Sequence, residues 1–120
     1  MRLRTILIAP LLLGAIPSAH AQQDLAGKYE GAIQGQQGRR FGVSLEISRV
    51  EGSTVSGTMV SFTPGSCRGN YKIEGTADNG VLNLQASDGP HADCRPVLKL
   101  QVSGNKLVGT MGAMPLELAK

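Results

Sequence analysis

The sequence contains no tryptophan, and its aromatic residues number four: Tyr29, Phe41, Phe62 and Tyr71. A ligand pocket walled by indole rings is therefore excluded. Histidine is almost as scarce, with only His20 and His91, and cysteine is limited to Cys67 and Cys94. His91-x-x-Cys94 supplies too few ligands for a zinc site. No cluster of basic residues forms the field that nucleic acid requires, so nucleic acid is not an expected partner. No apolar run approaches the ~20 residues of a membrane-spanning helix, so stable membrane insertion is not expected. No stretch holds a 3.6-residue apolar period long enough for a helix. A phosphate-cradling loop is missing too, because "GQQGRR" (35–40) precedes a strand pattern and not a helix. No cofactor is implied.

What is present begins with "MRLRTILIAPLLLGAIPSAHA". Arg2 and Arg4 precede an almost wholly apolar run over residues 5–16, and Ala19-His20-Ala21 has the small-x-small form of a cleavage site. This reads as a cleavable secretory signal peptide over 1–21, leaving one domain over 22–120. Export implies the periplasm or secretion. Without Arg2 and Arg4, ten Lys and Arg face nine Asp and Glu, so the mature chain is nearly neutral. In an oxidising compartment two cysteines predict a Cys67–Cys94 disulfide.

The body of the chain alternates with period two. In "RFGVSLEIS", Phe41, Val43, Leu45 and Ile47 point one way while Gly42, Ser44, Glu46 and Ser48 point the other. Eight such runs occur, near 28–34, 40–49, 54–61, 67–76, 80–86, 95–102, 106–111 and 113–118, separated by turn signals such as "VEGS", "ADNG" and "SGN". Each run carries one apolar and one mainly polar face. Eight one-sided strands in a short chain predict an all-β fold, a small eight-stranded antiparallel up-and-down barrel that closes its own edges. A two-sheet β-sandwich buries the same faces and is the alternative. Gly31, Gly57, Gly75 and Gly109 fall on the apolar faces, where they let strands bend and coil. A filled interior is expected for so small a barrel.

In a meander, alternate connections emerge at the same end. Those near 34–40, 61–67 and 87–94 are long, and both cysteines lie in them; those near 49–53, 77–80 and 103–105 are short. The long-loop rim collects Arg39, Arg40, Phe62, Arg68, His91 and Arg95, with Asp88 and Asp93. Arginines and an aromatic on loops over a rigid scaffold suit a recognition surface. Catalysis has little to draw on. His91 sits beside a predicted disulfide, and Asp88 and Asp93 occupy a turn-rich loop where Asp is favoured on conformational grounds. Met59, Met111 and Met114 are thioethers that would suit Cu(I), but all three fall on inward faces, where core packing explains them. No metal site is expected.

With Gly27-Lys28-Tyr29 near the mature N-terminus, the chain resembles the calycins (lipocalins and avidins) and small periplasmic inhibitor barrels, which open on Gly-x-Trp. Tyr29 stands where that pattern has tryptophan, which argues against biotin. The resemblance implies a non-enzymatic binder. The expectation is a secreted or periplasmic inhibitor or adaptor that binds a protein through the long-loop rim. The alternative is a carrier of a small apolar ligand in the barrel interior.

Overall fold

One-sided alternation turns into eight strands that wrap a single apolar core. The structure, a computed structural model, describes residues 25–120; the segment read as a signal peptide lies outside them. The strands are β1 (Gly27–Gln34), β2 (Arg40–Glu51), β3 (Thr54–Ser61), β4 (Gly69–Asp78), β5 (Val81–Ser87), β6 (Val97–Ser103), β7 (Lys106–Met111) and β8 (Met114–Ala119). Each pairs antiparallel with its neighbours in sequence, and β1 also pairs with β8, from Glu30↔Ala119 to Ile33↔Leu116. That last seam closes a barrel and rules out the sandwich.

The apolar faces read from the sequence are the faces turned inward. Ile33, Leu45, Ile47, Ile73, Leu82, Leu84, Leu98, Leu100, Leu107, Leu116 and Leu118 are fully buried. Two features re-phase the pattern. Between Ile47 and Arg49 the β2–β3 register slips by one residue, a bulge at Ser48. Beyond it Val50, and not Arg49, packs against the core. Leu25, ahead of β1, is buried with Ala77, and both border a small space under the Asn79-Gly80 turn.

The inward glycines have a steric cause. A Cβ built on Gly31, Gly57, Gly75 or Gly109 would lie 1.9 Å from a backbone carbonyl oxygen, that of Glu117, Glu46, Asn83 or Lys99 respectively. These positions occupy the β8–β1, β2–β3, β4–β5 and β6–β7 seams, every second seam around the barrel. At each, the adjacent backbone passes through the space a side chain would take. The glycines therefore leave no hollow; they let the wall coil tightly at four places.

The connections sort by length as the meander requires. One end has only two-residue turns, and at Asn79-Gly80 both residues have positive φ (53° and 78°), the signature of a type I′ hairpin. The other end carries the long connections 35–39, 62–68 and 88–96, with one tight turn at Gly112-Ala113. The last two long loops run further along the chain than the sequence expectation, because β4 and β6 each start two residues later than the apolar pattern suggests.

Candidate functional site

The long-loop end is built on a disulfide. Cys67 and Cys94 are bonded, with Cα atoms 5.5 Å apart, and Cys94 is buried. A disulfide formed between loops of one rim belongs to an oxidising, non-cytoplasmic compartment. Tyr71, at the start of β4, donates its hydroxyl to the carbonyl oxygen of Cys67, tying the first loop to the barrel wall. The second loop is held by Gln85, whose amide nitrogen donates to the carbonyl oxygens of Ala86 (2.8 Å), Arg95 (3.2 Å) and Pro96 (3.3 Å). Both loops are thereby anchored to strands below them.

Within this frame the barrel mouth opens into a cavity of about 400 Å³. Met59, Tyr71, Met111 and Met114 form its apolar wall, joined by the disulfide and Pro96. Ser61, Thr63, Asp93 and Arg95 supply its polar groups. The Ser61 and Thr63 hydroxyls bond one another at 2.9 Å, so the buried Ser61 is satisfied. Burial pushes the Tyr71 phenol above its ordinary pKa, because the charged form would lose hydration there. Beside the cavity, and sharing Met114 with it, a second depression is bordered by Gly35, Gln37, Arg39 and Phe41.

The six rim residues separate into distinct settings. Arg95 borders the main cavity and Arg39 the adjoining depression. Arg40 opens β2 opposite Gln34, one position out of phase with the inward Phe41, and so faces outward. Phe62 is half exposed (49%) and lies against Gly42 on the outer wall; its N–H donates to the Gly42 carbonyl at 3.0 Å. Arg68 is exposed in the turn where its N–H reaches Gly65 O at 3.2 Å. His91 is exposed on the β5–β6 loop, in a small depression with Asp88 and Arg95. Its Nδ1 accepts the Asp93 N–H at 3.2 Å, so the 3.8 Å separation from the Asp93 carboxylate is not a hydrogen bond to that nitrogen.

The rim is thus a set of cations around a cup, with one aromatic displaced to the outer wall. None of Arg39, Arg40, Arg68 and Arg95 makes an ion pair among the described residues. The cup departs from the filled interior expected of so small a barrel. Its signal was available in the sequence, since every methionine of the described residues lies at a strand position that the meander directs to the long-loop end. Comparison with protein-family models, with curated proteins and with solved structures finds no match to this chain.

Proposed function

We propose that the protein is a non-catalytic binding protein of the periplasm or the extracellular space, an inhibitor or adaptor that engages another protein through the long-loop end. The carrying observation is the segregation of charge. Of the five arginines among the described residues, Arg39, Arg40, Arg68 and Arg95 gather at this end without ion-pair partners. The lysines Lys28, Lys72, Lys99 and Lys106 lie on strands, and Lys120 follows β8. Asp88 and Asp93 are the acids nearby, which leaves an excess of positive charge. An acidic protein surface would be steered toward such a rim and gripped by forked guanidinium groups. The closed barrel is compatible with the calycin-like resemblance of Gly27-Lys28-Tyr29, and kinship with those binders is part of this reading.

The test replaces Arg39, Arg40 and Arg68 together by Glu and repeats a cross-linked capture from envelope extract. Partners held by the native protein are expected to be lost from the variant. Capture of the same partners in the same yield overturns the reading.

The 400 Å³ cavity favours a second reading, a carrier of a small apolar ligand. Its size falls within the ~300–1,000 Å³ of small-molecule sites. Native mass spectrometry of protein isolated from its own host should then show a bound mass; an empty protein under all growth conditions would count against it.

A further inference from the structure

The cavity at the mouth differs from the core beneath it in side-chain type. Leucine, isoleucine and valine fill the barrel below, whereas Met59, Met111 and Met114 all border the cavity. Unbranched thioether chains adapt to ligands of varied shape, while branched aliphatic chains hold one packing. The wall of the cup is therefore both apolar and deformable.

Its lip carries two charged side chains, Asp93 and Arg95, both exposed. The Asp93 side chain, 92% exposed, has its carboxylate 3.8 Å from His91 Nδ1. Arg95 has no ion-pair partner among the described residues, and its backbone is held by the neighbouring Cys94 disulfide and by Gln85. Its exposed guanidinium is free to meet a carboxylate with two parallel hydrogen bonds. Arg39, across Met114 in the adjoining depression, adds to the positive field at the same opening.

We infer that the mouth cavity binds an anionic amphiphile, a molecule with an apolar body and a single carboxylate head. The body lies among Met59, Tyr71, Met111 and Met114, and the head meets Arg95 at the lip. This rests on the carrier reading and narrows it to one ligand chemistry. It leaves the protein-binding role of Arg40, Arg68 and Phe62, which do not line the cup, as a separate question.

Isothermal titration of the disulfide-intact protein with three probes of equal chain length tests the inference: decanoate, decyl glucoside and decyltrimethylammonium. Decanoate is expected to bind one to one, at least tenfold more tightly than the other two. Arg95→Gln should weaken decanoate at least tenfold and leave decyl glucoside unchanged, with Arg95→Lys recovering part of the loss. Ala113→Trp, at an exposed position on the lip, should hinder all three by filling the opening; Thr63→Trp does the same from the opposite side if that variant folds poorly. Equal affinity for the cationic and anionic probes overturns the assignment of the head group, as does an Arg95→Gln protein that still prefers decanoate. If decanoate fails while a different ligand co-purifies from the host, the anionic-amphiphile assignment falls and the carrier reading stands. If neither binds, both fall. A short apolar peptide carboxylate that outcompetes decanoate would move the occupant to a polypeptide and overturn the assignment.

Discussion

Gly57 and Gly42 sit on neighbouring strands and face opposite sides of the wall, and they should answer substitution in opposite ways. A Cβ at Gly57 would lie 1.9 Å from the Glu46 carbonyl oxygen, a backbone atom of a paired strand that cannot turn aside. Gly57→Ala is expected to destabilise the barrel by about 3 kcal/mol or more, as overpacking against backbone does. A Cβ at Gly42 would meet the Phe62 ring at 3.4 Å, ordinary contact with a half-exposed side chain. Gly42→Ala should stay within about 1 kcal/mol of the native protein. Thermal melts of the two variants compare them directly; equal losses would mean that the close approach at Gly57 is not what requires glycine. Tyr71 makes a prediction about pH. Burial raises its pKa above the ordinary value near 10, so the folded protein retains a proton that the unfolded chain releases. The stability from the neutral phenol is then fully present below about pH 10 and is lost as pH climbs from there through the folded-state pKa. Tyr71→Phe should cost about 1 kcal/mol at pH 7 through the missing bond to Cys67 O, and the deficit should shrink above pH 10. A deficit unchanged with pH would place the effect elsewhere.

At the level of elements, the two tyrosines mark a repeated way of starting a strand. Gly27-Lys28-Tyr29 opens β1, and Gly69-Asn70-Tyr71 opens β4. In each the glycine has strongly positive φ, 143° and 145°, and the tyrosine hydroxyl reaches a carbonyl four residues upstream, that of Leu25 or Cys67. The first copy secures the short-turn end and the second the mouth. The second copy is masked in the sequence, because the apolar pattern continues back through it to residue 67. The disulfide acts on the same β4 entrance. It closes a loop of 27 residues, which on the chain-entropy model is worth about 3.5 kcal/mol. Reduction, or Cys67→Ala with Cys94→Ala, should lower the Tm by on the order of 15 °C for a domain of this size. It should also speed amide exchange across 62–68 and 88–96 more than in the two-residue turns. A Tm that does not move would show that strand pairing and Gln85 hold the mouth unaided.

At the scale of the whole molecule, closure rests on a short seam. β1 meets β8 only from Glu30↔Ala119 to Ile33↔Leu116, while β2 and β3 pair from Val43↔Ser61 to Glu51↔Thr54. The barrel should open first where it is least paired. Hydrogen exchange is expected to reach the β1–β8 amides at lower opening free energy than those of β2–β3. Uniform protection around the barrel would contradict this. The asymmetry of the two ends is also a property of the whole. Up-and-down order sends alternate connections to one pole, so loop lengths scattered along the chain sum to one plain end and one elaborated end.

Strand number, the inward faces and the pairing of Cys67 with Cys94 could be read from residue order, because side chains alternate with period two and loops must emerge by turns at opposite ends. The long-loop rim could be read for the same reason, as far as which residues share an end. Their facing could not. Whether Arg95 borders the lumen while Arg40 turns outward depends on where β2 and β6 begin, and the apolar pattern misplaces the start of β6 by two residues. The bulge at Ser48 and the burial of Leu25 were hidden likewise, since neither breaks the local alternation rule in a way one strand can reveal. The cavity was settled last. Local pattern determines that methionines at three strand ends point inward; only the curvature of the closed wall, drawn in at four glycine seams, decides that they meet around an open space and not against one another.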